Sequence, residues 1–113
     1  MSVAGESSPT NLPPLDPEGY LENLADWSET VAEGLAAQES RSLTPEHWEI
    51  LRLLRQFYQE YQLSPAMRPL SKYLRQHLGA DKARSIHLMK LFGESPAKTA
   101  ARLAGLPKPD NCL

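Results

Sequence analysis

Cysteine is almost absent from this chain: of 113 residues, only Cys112 carries a thiol. One thiol cannot close an internal disulfide, so any stability must come from a core, and a reducing compartment is the expected setting. Long apolar runs are also missing. No stretch approaches the roughly 20 apolar residues that cross a bilayer. Met1–Thr10 has neither a basic start nor an apolar segment. No secretory signal and no membrane contact are therefore expected, which makes a cytoplasmic protein the default. There is no glycine-rich phosphate loop, since Gly79 and Gly93 stand alone as helix stops. His77 and His87 have no second ligand at helical spacing, so neither a metal nor a cofactor is expected.

What is present points to one folded domain. Apolar residues make up 41% of the chain, an ordinary share for a domain with one modest core. The net charge of -2 conceals a split. Residues 1–63 hold 3 Lys+Arg against 11 Asp+Glu, while residues 64–113 hold 9 against 3. A basic C-terminal half steers an acidic partner or RNA, or is simply a solvated face.

Taken in order, residues 1–11 read as a flexible tail rich in Ser, Gly and Pro. Asp16-Pro17-Glu18-Gly19 has the residues a type I turn favours. Leu15 and Tyr20-Leu21 on either side are placed for a short β-hairpin. The spacing of Leu24, Trp27, Val31 and Leu35 predicts a first helix over 23–38. Thr44-Pro45-Glu46 is a helix start, with Thr44 as cap and Pro45 at the first helical position. That helix runs to about Gln62, with Trp48, Leu51, Leu54, Tyr58 and Tyr61 inward. A third helix begins near Pro69 and turns Leu70, Tyr73, Leu74, His77 and Leu78 inward. A fourth spans 81–92, with Ile86 and Met89 buried and Leu88 and Phe92 as further candidates for burial. A fifth, Pro96–Ala104, carries small residues that allow close packing. The expected fold is mainly α: a compact bundle of about five helices with a small N-terminal β-hairpin and a mobile C-terminal arm. The arm, which bears the cysteine, is residues 105–113, and the domain proper is 12–104.

Gly105 ends the last helix, and Pro107 and Pro109 keep it from resuming. Gly105, Leu106, Pro107, Lys108 and Pro109 thus form a short stiff arm that carries Cys112 near its tip. Two readings stand: a thiol delivered into another protein's pocket, or an incidental cysteine at a terminus. A thiol reacts as the thiolate. The α-carboxylate and Asp110 oppose that form, and Lys108 favours it. No general base is adjacent, so Cys112 suits a carrier activated by its partner better than a stand-alone catalyst. Ser95-Pro-Ala-Lys98 matches a bare Ser-x-x-Lys pattern that a helix cap explains equally well. Arg68, Lys72, Arg75, Lys82, Arg84 and Lys90 on short helices joined by Gly79 look somewhat like a helix-turn-helix, which keeps a nucleic-acid-binding regulator as an alternative.

Several motifs, in order, carry a resemblance. They are Asp16-Pro-Glu-Gly-Tyr-Leu21, Asp26-Trp-Ser-Glu29, Leu43-Thr-Pro-Glu-His-Trp-Glu49 and Leu54-Arg-Gln-Phe-Tyr58. They continue as Pro65-Ala-Met-Arg68, Leu91-Phe92, Pro96-Ala-Lys98 and Ala104-Gly-Leu-Pro-Lys-Pro109, followed by Cys112. From Asp16 to Leu113 the chain resembles the TusE/DsrC family of sulfur-relay proteins, also called the dissimilatory sulfite reductase gamma-subunit family. The resemblance implies a helical domain with a mobile arm whose penultimate cysteine, here Cys112, carries sulfur as a persulfide. DsrC-type members have a second cysteine where this chain has Ala101, so the chain looks TusE-like. TusE-type proteins take sulfur from a sulfurtransferase complex and pass it to the enzyme that makes 2-thiouridine in tRNA. The implied partners are that donor complex and that tRNA 2-thiouridylase, with indirect contact to tRNA. Family patterns have Pro where Gly93 stands, Gly where Ser95 stands and Gly where Asn111 stands. A sulfur-oxidation carrier of the same family is the nearest rival.

Overall fold

The longest helix starts where the local chemistry dictates. In the computed structural model, which describes residues 12–110, Thr44 caps α2 (Pro45–Tyr61), accepting a hydrogen bond from the His47 backbone N–H. His47 closes the cap in return, because its Nδ1 accepts from the Thr44 backbone N–H at 3.0 Å. This is a capping box with imidazole in place of the usual carboxylate. The His47 ring is buried, its Nε2 donates to the Leu91 carbonyl at 2.7 Å, and its edge meets Phe92. One residue thus both helps start α2 and ties it to the helix that ends at Phe92.

Before α2 lie a 3-10 turn (Leu24–Asp26) and α1 (Glu29–Ala37). After it come α3 (Met67–Leu78), α4 (Ala80–Ala83), α5 (Ser85–Phe92) and α6 (Pro96–Leu103). The molecule is compact and mainly helical, with six α-helices among the described residues. α6 is the hub, packing on α1, α2, α3 and α5. Ala100, Ala101 and Leu103 on it are fully buried. Alanines on this helix let four neighbours approach closely, and leucines from those neighbours (Leu35, Leu51, Leu54, Leu74, Leu88) complete the core.

Four expectations are corrected. The hairpin does not form. The turn closes, with Gly19 N–H donating to the Asp16 carbonyl at 2.9 Å, but only one isolated antiparallel bridge, Leu15 to Leu21, stands on it. Pro13 and Pro14 lack the N–H groups that a longer ladder needs. The first helix begins at Glu29, not Asn23, because Ser28 caps it by accepting from Val31 N–H at 3.2 Å while Trp27 stays extended. The third begins at Met67. Pro69 is accommodated in its first turn, where an N–H has no helical partner anyway. The expected fourth helix is broken at Arg84, whose backbone is extended, into α4 and α5.

That break resets the helical phase. Leu88, Leu91 and Phe92 turn inward, while Ile86 and Met89 are exposed. In α2 the inward face is likewise shifted, to His47, Ile50, Leu51, Leu54 and Phe57, leaving Trp48 and Tyr58 half-buried and Tyr61 exposed. His77 is exposed and stacks on Tyr73 rather than entering the core. The expected tail, residues 1–11, lies outside the described residues, as do Asn111, Cys112 and Leu113. Among the described residues no helix is long and apolar enough to cross a membrane.

Candidate functional site

The structure fixes the point from which the terminal segment leaves. Gly105 stands just past α6 with φ +75°. Its N–H donates to the Arg102 carbonyl at 3.1 Å, and the Leu106 N–H to the Ala101 carbonyl at 2.9 Å. That pair of bonds is a Schellman closure, which needs a left-handed residue at the position Gly105 holds. Gly105 is required for a second reason. A Cβ there would lie 2.7 Å from Trp27 Cγ and 2.8 Å from Trp27 Cβ.

Trp27 is therefore pressed against the helix end, and it contributes a bond: its Nε1–H donates to the Leu103 carbonyl at 2.9 Å. Arg55, from α2, donates to the next carbonyl, Ala104, at 2.6 Å and lies 4.1 Å over the Trp27 ring. A cation at a helix C-terminus also meets the negative end of the dipole. Burial lowers the Arg55 pKa from its ordinary value, yet a guanidinium remains charged in water.

Beyond the helix end each residue has its own hold. Leu106 belongs to the core at 1% exposure. The Pro107 carbonyl accepts from Ser64 Oγ at 2.5 Å. Lys108 Nζ pairs with Glu18 Oε2 at 2.8 Å, on the Asp16–Gly19 turn. Pro109 is buried and Asp110 exposed. The stretch Gly105–Pro109 is thus the packed root of the arm, not a free segment, and the chain departs the core only after Leu106. Beside the root is a cleft of about 400 Å³ lined by Leu63, Ser64, Ala66, Pro69, Pro107 and Lys108.

Of the residues expected to act, five are located by this root: Gly105, Leu106, Pro107, Lys108 and Pro109. Cys112, the sixth, lies outside the described residues. Ala101, where a second cysteine would stand in a DsrC-type chain, is fully buried in the core. Gly93, standing where the family pattern has Pro, has φ +87°, a value no proline reaches.

Glu18, Trp27, Arg55 and Ser64 hold the root but were not singled out for that role. Trp27 reads as an ordinary helix-face residue, and no local pattern links Arg55 or Ser64 to a partner 49 or 43 positions away. Among the described residues no cluster of three or more His, Cys, Asp or Glu could hold a metal ion. In the region read as helix-turn-helix-like, α4 has four residues. Lys82 pairs there with Glu49 and Arg84 with Asp81, so α4 is not a basic recognition helix.

The comparisons agree with this geometry. A family model described as "DsrC like protein" matches residues 9–113. The chain is 50% identical over 98 residues to "Sulfurtransferase TusE" of Yersinia pseudotuberculosis, covering 87% of this chain and 91% of that one. It is similar to the NMR structure of Allochromatium vinosum DsrC, with TM-score 0.80, 49% identity and 88% of each chain covered. It also matches the oxidized gamma-subunit of the dissimilatory sulfite reductase (DsrC) from Archaeoglobus fulgidus. There the TM-score is 0.76 at 39% identity, covering 88% of this chain and 91% of that one. With a family model matched over nearly its whole length and a terminal arm rooted in its core, the chain belongs to the DsrC-like protein family.

Proposed function

We infer that this protein is a sulfurtransferase that works as a persulfide carrier, with Cys112 as the sulfur-bearing residue. The observation that carries the reading is the family match extending through the C-terminal segment, residues 9–113, in a chain with one thiol. In loading, the Cys112 thiolate attacks the outer sulfur of a donor persulfide, R–S–SH. A bond forms from Cys112 Sγ to that sulfur and the donor's S–S bond breaks. The donor leaves as R–S⁻, and Cys112 becomes Cys–S–SH. The sulfur moves without net oxidation or reduction, so no external oxidant is needed. Delivery to the acceptor is the same exchange with this chain as the donor.

The structural support lies in the root. Its bonds fix the departure point and leave one residue, Asn111, between Asp110 and Cys112, so the thiol is offered from a defined place. Delivery of Cys112 into a partner's pocket is the working arrangement. Ala101 removes the second thiol from the arm's own helix, so relief of the persulfide has to come from another protein. That favours a TusE-like place in the cytoplasm between a donor sulfurtransferase complex and a tRNA 2-thiouridylase, with tRNA met only through the acceptor. The alternative, a sulfur-oxidation carrier of the same family, stays open because the chain is about as similar to a DsrC (49% identical) as to a TusE (50% identical). Deleting the gene separates the two: loss of 2-thiouridine from tRNA marks the first pathway, and unchanged 2-thiouridine marks the second.

A further inference from the structure

Most cations of this protein are already occupied. Arg41, Arg52, Lys82, Arg84, Arg102 and Lys108 sit in ion pairs. Arg55 is held by Ala104 and Trp27. Among the described residues this leaves Arg68, Lys72, Arg75, Lys90 and Lys98 outside any ion pair. Three of these, Arg68, Lys72 and Arg75, fall four and three positions apart on α3 and are all exposed. That spacing places them on one face of the helix, along about 10 Å of its length.

Grooves flank this basic ridge, and each has an exposed apolar rim. Between α2 and α3 a groove of about 210 Å³ is lined by Tyr61, Lys72 and Tyr73. On the other side a cavity of about 490 Å³ is lined by Arg75, Arg84 and Ile86. At the N-terminal end of α3, the cleft beside the arm root holds Leu63, Pro69 and Pro107. Tyr61, Leu63 and Ile86, at 55%, 53% and 64% exposure, are three of the four large hydrophobic residues left in water among the described residues. Water-exposed Tyr and Ile beside unpaired Arg is the make-up of a protein interface.

We propose that the α3 ridge, Arg68–Lys72–Arg75 with its apolar rims Tyr61, Leu63 and Ile86, is the docking face for the persulfide-bearing donor protein that loads Cys112. That protein presents an acidic surface with apolar side chains beside its persulfide. The proposal rests on the carrier reading and deepens it. Two observations select this partner. The first is position. The root and α3 share the cleft wall at Pro69 and Pro107, and Ser64, just before α3, is bonded to Pro107. A protein that receives a tip two residues past Asp110 therefore comes to rest against the start of α3. The second is chemistry. A phosphate backbone would pair with the cations but offers nothing to Leu63 or Ile86, whereas a protein surface satisfies both.

The test measures sulfur transfer to the full chain from its persulfide-loaded donor complex and, separately, from free cysteine persulfide. Two triple variants are compared with wild type, R68Q/K72Q/R75Q and R68E/K72E/R75E, with circular dichroism confirming the fold. At low salt, kcat/KM with the donor complex falls about tenfold in the first and about a hundredfold in the second. The differences shrink as salt rises, and loading by cysteine persulfide is unchanged. Unchanged kcat/KM with the donor complex in both variants overturns the docking face while leaving the carrier reading intact. Fluorescence anisotropy with labelled tRNA supplies the other arm. Tight binding that both variants lose, with donor kinetics unaffected, assigns the ridge to RNA and overturns the proposal. If wild-type Cys112 is loaded by neither donor, the carrier reading fails and the docking proposal falls with it.

Discussion

Replacing Gly105 with alanine tests how the arm is rooted. Two costs are expected, and they have different origins. At φ +75° an L-residue with a Cβ is strained, by about 1–2 kcal/mol. The new methyl would also lie 2.7–2.8 Å from Trp27, well inside contact distance. Trp27 cannot retreat freely, because its Nε1 bonds to Leu103 and its ring carries Arg55. Losing that bond and the ring contact adds about 1–2 kcal/mol. The total is about 3 kcal/mol, a large share of the 5–15 kcal/mol typical of a domain. Urea unfolding followed by circular dichroism should show the midpoint moving down by about 2 M, for an m value of about 1.5 kcal/mol/M. The contact part is isolated by a double-mutant cycle with Trp27→Leu, which frees the space. About 1 kcal/mol or more of the Gly105→Ala cost should disappear in that background. A cost below about 1 kcal/mol, or no coupling with Trp27, would refute the account of the root.

Three further outcomes follow from the same bonds. Arg55→Met keeps the stem but loses the charge-assisted bond to Ala104 and the stack on Trp27, so stability should fall by about 2–3 kcal/mol in urea melts; a change under about 0.5 kcal/mol contradicts that role. His47→Ala removes the imidazole half of the α2 capping box and the link to α5 and leaves a cavity. The expected loss is roughly 2–3 kcal/mol, limited because Arg41 still donates to the Leu91 carbonyl; a thermal melt equal to wild type would exclude the role. Burial raises the Tyr73 pKa above its usual value, and the hydrogen bond to Glu49 raises that of Lys82. For both, the unfolded chain releases its proton first. Stability should therefore be complete below about pH 10 and fall as pH rises through the folded values. Tyr73→Phe should flatten this alkaline fall, and an identical profile in the variant would remove Tyr73 from the explanation.

How legible all this was depends on distance along the chain. The cap at Thr44, the turn at Asp16–Gly19 and the stop at Gly105 are each written in adjacent residues, and each is found where expected. The break at Arg84 has no such local mark, and without it the 3.6-residue period points Ile86 and Met89 the wrong way. Ser28 does not stand out as a cap, because the apolar spacing from Leu24 to Val31 continues through it. The root of the arm was hardest to see. Its bonds join residues 76, 49, 43 and 90 positions apart: Trp27 to Leu103, Arg55 to Ala104, Ser64 to Pro107 and Lys108 to Glu18. Local pattern marked the arm's residues, but only packing shows that Gly105–Pro109 is a fixed root and not a loose tether.

The central claim, that Cys112 carries sulfur, is tested most directly by intact-mass spectrometry of the full chain after incubation with a persulfide-loaded donor. The account predicts the addition of one sulfur atom to the wild type, discharged when an acceptor thiol is supplied, and no addition to Cys112→Ser. Equal labelling of the two proteins, or a wild type that takes up no sulfur, would contradict it.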